Sequence, residues 1–195
     1  MAKKITVPDI RGRKGGPKIS MVTAYDYPGA VIADEAEMDI VLIGDSVANV
    51  VHGLDTTLEI GMDEIVLHTR AVARAKPSAL IVADMPWLSF HLSTEETVRN
   101  AGRLIAEGGA EAVKLEGGRK RLPMVEALLD AEIPVMGHVG LTPQSVHAMG
   151  GFKVQGKMVD AAREMIADAR ALSDAGCFSI VVEGVPDVQI GRAHV

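Results

Sequence analysis

Five apolar runs in this chain each close on a carboxylate or a histidine. They are IVLIGD at Asp45, LIVAD at Asp84, AVKLE at Glu116, IPVMGH at His138 and SIVVE at Glu183. Runs this rich in Val and Ile, apolar on both faces, read as strands of a parallel sheet covered by helices. Polar groups at the carboxyl ends of successive parallel strands converge on one mouth of a (β/α) barrel, the face that carries the active site in barrel enzymes. Four acidic ends and one histidine suit a divalent cation and proton transfer.

The strand candidates are 19–24, 40–44, 80–84, 112–116, 133–138 and 179–183. Helical periodicity fills the intervals. Ile65, Val66, Thr69, Val72 and Ala73 make one stripe over 62–75, Ser93 and Glu96 open a capped helix over 94–107, and Met158, Ala162, Met165, Ala169 and Leu172 line 158–175. Gly108–Gly109 and Gly176 stand where left-handed caps would stop two of these helices. Strand and helix alternate, so the fold class is α/β with a parallel sheet, and the expected architecture is a (β/α)8 TIM barrel. The connections 45–61 and 139–157 are too long for plain loops and are expected to carry function.

Only six strands fit into 195 residues, whereas a complete barrel typically takes about 250. The expectation is therefore one incomplete barrel domain over 1–189, shortened at its carboxyl end. The hexapeptide IGRAHV at 190–195 breaks the pattern, and codons that would encode it resemble a sequencing adapter. It is expected to be a non-native tail, with the natural reading frame continuing past Gln189.

Composition narrows the function. A net charge of −6 argues against a nucleic-acid partner, and six aromatic residues offer no base-stacking platform. No uninterrupted apolar stretch reaches the length of a membrane span. The single Cys177 follows Gly176 at the start of a strand run and reads as a small buried filler. The basic, Gly- and Pro-containing start lacks the apolar stretch of a secretory signal, so the cytoplasm is the expected compartment.

Asp45 and Asp84, at the ends of different strands, meet the needs of a hard cation such as Mg²⁺, which takes one or two carboxylates with water and substrate oxygens. Each alone also reads as a cap of the next element. Lys114 and Glu116, two apart on one strand, point the same way. A structural ion pair is one reading; a substrate carboxylate on Lys114 and a metal-bound water on Glu116 is the other. Glu183 stands among Val and Gly, where burial is expected to raise its pKa and suit it to be a base. His138 reads equally as a core histidine or a site residue. Gly151–Lys157 imitates a phosphate-binding loop, but Met158 replaces the required hydroxyl residue, and nucleotide binding is set aside.

With these residues in view, the chain resembles the ketopantoate hydroxymethyltransferase family. The resemblance runs from about Ile19 to Val188 and rests on TAYDYP at 23–28, IGDS at 43–46, HTRAV at 68–72, ADMP at 83–86, VKLEGG at 113–118, GHVGLTPQSV at 137–146, GGFKVQG at 150–156 and VEGVP at 182–186. It implies a (β/α)8 barrel that transfers a hydroxymethyl group from 5,10-methylenetetrahydrofolate to 3-methyl-2-oxobutanoate with the help of Mg²⁺, as a homo-oligomer when full length. It implies Asp45, Asp84 and Glu116 at the metal, and Asp45, Ser46, Asp84, Lys114 and His138 around the 2-oxo acid. Glu183 is implied as the catalytic base. Gly184 departs from the cysteine of some members. The nearest rival is a metal-dependent C–C lyase or mutase of the phosphoenolpyruvate mutase/isocitrate lyase type, needing no folate; an inactive fragment is the other.

Overall fold

A computed structural model describes residues 3–187; the expected tail at 190–195 lies outside them. Six strands form one parallel sheet in sequence order: β1 (Met21–Thr23), β2 (Ile40–Ile43), β3 (Leu80–Asp84), β4 (Ala112–Glu116), β5 (Val135–Gly140) and β6 (Ser179–Glu183). Helices connect them: α1 (Val7–Gly12), α2 (Tyr27–Glu35), α3 (Val47–Val50), α4 (Met62–Ala73), α5 (Thr94–Arg103), α6 (Leu122–Asp130), α7 (Val146–Met149) and α8 (Val159–Ala175). Among the described residues β1 and β6 are the two edges of the sheet, which is therefore an open half-barrel.

Period-two alternation sorts each strand between two cores. Val41, Ile43, Ile81, Val113 and Leu115 face the helix layer, where they meet Val66, Val72, Leu104, Val125, Leu128 and Leu172. Ile40, Leu42, Leu80, Val82, Ala112 and Met136 face the other way and form a second cluster with Ile10 of α1. The N-terminal segment thus covers the inner face at the beginnings of the strands. Lys4 Nζ fastens it to the carbonyls of Pro77 and Ala79 at 3.1 and 2.6 Å.

Three strands have the extents expected of them, β2 ends one residue early at Ile43, and two differ for identifiable reasons. The first shrinks to Met21–Thr23 because it lies on an edge with all three residues exposed. β5 starts at Val135, just after Pro134, and runs on to Gly140, which pairs with Glu183. α5 ends at Arg103, and the rest of the expected helix is a π-turn over Leu104–Gly108 closed by Gly109 at φ 83°. Gly176 caps α8 at φ 107°. Burial pushes the Cys177 thiol up to about 12, as befits an inert filler. No helix among the described residues is long and apolar enough to cross a membrane.

Candidate active site

Asp84, Lys114 and Glu116 occupy alternate positions of β3 and β4 on the inner face, and all three are buried. Asp45 follows β2 by two residues; it and His138 of β5 are buried beside them. All of them lie near or just beyond the carboxyl ends of their strands, at the same end of the sheet. Lys114 Nζ lies 2.5 Å from Asp84 Oδ1 and 3.5 Å from His138 Nδ1. The backbone N–H of Asp45 donates to Asp84 Oδ2 at 3.1 Å. Gly44 leaves room for this arrangement: a Cβ there would meet Ser46 Oγ at 2.8 Å and Asp84 Oδ2 at 3.5 Å.

The electrostatics follow from three carboxylates crowded around one ammonium. Burial, reinforced by Asp84 and Glu116, pushes Asp45 up to about 7. Asp84 is raised as well, by burial first and by Glu116, although Lys114 opposes the shift. Burial alone would lower Lys114, but Asp84, Glu116 and Asp45 outweigh it and hold the ammonium above its usual range. Among the described residues no group of three or more His, Cys, Asp or Glu side chains is arranged to hold a metal ion by itself. Asp45 and Asp84 can offer a hard cation oxygen donors, with further positions left to water or substrate.

His138 ties the two ends of the site together. Its Nδ1 lies 3.5 Å from Glu116 Oε1, and its Nε2 lies 3.2 Å from Glu183 Oε2, a charge contact without hydrogen-bond alignment. Burial works against its protonation, yet Glu116 and Glu183 together raise its pKa. Glu183 corrects one expectation. Its side chain is 47% exposed because β6 is an edge strand, and the His138 contact lowers its pKa where burial was expected to raise it. The Glu183 carboxylate is ionised at neutral pH, and the His138 ring beside it favours that form.

Two residues that sequence reasoning left unassigned complete the site. Gln144, in the connection after β5, donates from its backbone N–H to Glu116 Oε2 at 3.0 Å. Its Nε2 donates to Asp45 Oδ2 at 2.9 Å and to the Met85 carbonyl at 3.0 Å. Tyr25 places its hydroxyl 2.8 Å from Ser46 Oγ. The only available signal was their position in long connections and ordered motifs; no periodicity marks either side chain. Gly184 sits at φ 57°, and a Cβ there would meet Leu141 Cβ at 2.7 Å, so this backbone suits glycine.

Comparison with known proteins identifies the family of the chain. The family profile described as ketopantoate hydroxymethyltransferase matches residues 4–192. The 3-methyl-2-oxobutanoate hydroxymethyltransferase of Syntrophomonas wolfei is 55% identical over 184 residues, covering 94% of this chain and 67% of the relative. Its counterpart in Clostridium beijerinckii is 58% identical over 170 residues, covering 87% of this chain and 62% of the relative. The chain thus spans about two thirds of the length of such relatives. Among solved structures, 2,3-dimethylmalate lyase, a PEP mutase/isocitrate lyase superfamily member, superposes with a TM-score of 0.67 at 18% identity, over 99% of this chain and 67% of the lyase. That likeness concerns the fold alone.

Proposed function

The chain belongs to the ketopantoate hydroxymethyltransferase family, and from that premise we propose that it transfers a hydroxymethyl group from 5,10-methylenetetrahydrofolate to 3-methyl-2-oxobutanoate, giving 2-dehydropantoate. The observation that carries this reading is the convergence of Asp45, Asp84, Lys114, Glu116, His138 and Glu183 at one end of five successive strands. We further take the six strands as part of a (β/α)8 barrel, with the remaining strands in the third of the relatives' length that this chain does not span. Cytoplasmic location and homo-oligomeric assembly belong to the same reading.

The donor set fits Mg²⁺. Asp45 and Asp84 are oxygen ligands of the hard type, and the raised Asp45 carboxyl reflects buried negative charge that a cation would offset. Asp45 and Asp84 would hold the ion, with Glu116 reaching it through water. Bound there, Mg²⁺ would withdraw electrons from the keto and carboxylate oxygens of the substrate and stabilise its enolate. Lys114 pairs with the substrate carboxylate, and Ser46, steadied by Tyr25, orients it. Glu183 takes the C3 proton, and His138 fixes the carboxylate beside it. Water takes the methylene group from the donor as formaldehyde, breaking both of its bonds to nitrogen and leaving tetrahydrofolate, and the enolate carbon adds to the formaldehyde carbon, whose oxygen takes up a proton as the new hydroxyl.

A lyase or mutase with this fold would act on its oxo acid without folate. Folate-dependent turnover of 3-methyl-2-oxobutanoate by the protein that carries this chain separates the two readings. Asp45→Ala and Asp84→Ala should each weaken Mg²⁺ binding, measured calorimetrically, and cut turnover in parallel. Unchanged metal affinity in both variants would move the ion elsewhere.

A further inference from the structure

We propose that Arg121, Lys120 and His91 form an anion-binding patch on the rim of the site, which holds the carboxylate tail of the one-carbon donor. This rests on the functional reading above and deepens it. The three residues come from two neighbouring connections at the carboxyl end of the sheet. Arg121 and Lys120 lie in the 3-10 turn Arg119–Arg121, three to five positions past Glu116, and His91 lies in the connection between β3 and α5. Phe90, 1% exposed, supports both sides of the patch. The His91 ring lies 4.2 Å from it, centroid to centroid, and Arg121 Cζ lies 5.6 Å from its centroid.

Arg119 shows what a satisfied arginine looks like in this turn. It pairs with Asp168 and with Glu164. The guanidinium of Arg121, two residues on and half-buried, makes no hydrogen bond or ion pair with any described residue, and its Nε is buried without a partner. Gly117 keeps it there, since a Cβ at that position would meet Arg121 Cγ at 2.8 Å. Burying a guanidinium without a counter-charge is costly, and a carboxylate matches its fork of donors. Burial, with Arg121 and Lys120 nearby, brings His91 down to about 4. The imidazole is therefore neutral, and its Nδ1 is also buried without a partner.

Sign decides where an anionic tail would rest. The interior has one ammonium, Lys114, which already faces Asp84 and is taken up by the oxo acid; on the rim the Arg121 guanidinium meets no carboxylate among the described residues. A donor whose reactive end enters the site and whose glutamyl carboxylates stay on Arg121 and Lys120 satisfies both.

The test is steady-state kinetics with 5,10-methylenetetrahydrofolate carrying one or four glutamyl residues. Arg121→Gln keeps much of the stem over Phe90 and removes the charge. It should raise the donor KM about tenfold, the size of one charge-assisted hydrogen bond, and more for the longer tail. Lys120→Gln, on an exposed side chain, should act in the same direction with a smaller effect. Donor-free exchange of the substrate C3 proton serves as the control for folding and oxo-acid binding. Inorganic phosphate should compete with the donor in the unsubstituted protein and lose that effect in Arg121→Gln. An unchanged KM for both folates in both variants would overturn the patch. So would phosphate binding that Arg121→Gln abolishes while donor kinetics stay unmoved, since the ligand would then be the free oxyanion. Absence of folate-dependent turnover in the unsubstituted protein would overturn the functional reading and the patch with it.

Discussion

Asp34 illustrates at the residue scale how one half-buried carboxylate joins two elements. Its Oδ1 accepts from both the backbone N–H and the hydroxyl of Ser78, each at 2.6 Å, tying α2 to the turn before β3. The Ser78 hydroxyl first, and then its N–H, lowers the Asp34 pKa. A carboxylate with a lowered native pKa adds stability above its unfolded value, near 3.9, and loses it as pH falls through the native one. Asp34→Ala should cost about 1 kcal/mol at pH 7 after discounting for solvent screening. That difference should shrink towards zero in acid; a urea-unfolding difference that stays constant from pH 7 to pH 2 would contradict the assignment. Glu183 shows why such values are hard to read from sequence. Its neighbours Val181, Val182 and Gly184 suggest burial, but exposure depends on which strand lies at the edge, and the sign of its shift depends on His138, 45 positions away. Gln144 was hidden for the same reason, since its partner Asp45 is 99 residues away.

At the element scale, apolar runs ending in charge marked β3, β4 and β6 to the residue, because their side chains are apolar on both faces and stop where the site begins. The end of β5 was not legible, since Gly140 carries no side-chain signal. It belongs to the strand because it pairs with Glu183, and the Leu141 N–H donates to the Glu183 carbonyl at 2.7 Å. Gly140 has φ 91°, and a Cβ there would lie 2.2 Å from that carbonyl. Gly140→Ala should therefore cost about 1–3 kcal/mol of backbone strain and displace Glu183 with it. Gly137→Ala is the milder comparison, because its Cβ would meet Leu172 Cδ1, at 2.9 Å, which can rotate away. Equal stability and equal exchange rates in the two variants would refute the close approach of β5 to the end of β6.

At the scale of the whole molecule, the sheet order and the inner cluster under Ile10 describe a curved half-barrel with β1 and β6 as edges. Met21 and Val22 on β1 are 42% and 38% exposed, so this edge offers both apolar side chains and unpaired backbone groups. Expressed as these 195 residues alone, the chain should self-associate and unfold without a sharp transition. A monodisperse monomer with cooperative thermal unfolding would show that the edges are protected. The central claim, that this mouth enolises a 2-oxo acid with Glu183 as the base, does not depend on the donor. It is tested most directly by exchange of the C3 proton of 3-methyl-2-oxobutanoate with solvent deuterium, without folate, in the protein that carries this chain. The unsubstituted protein should exchange, and Glu183→Gln should slow exchange by about 10²–10⁴-fold, the usual contribution of a general base, while still binding the oxo acid. Exchange by Glu183→Gln at the unsubstituted rate would contradict the account and make His138 the first candidate for the base.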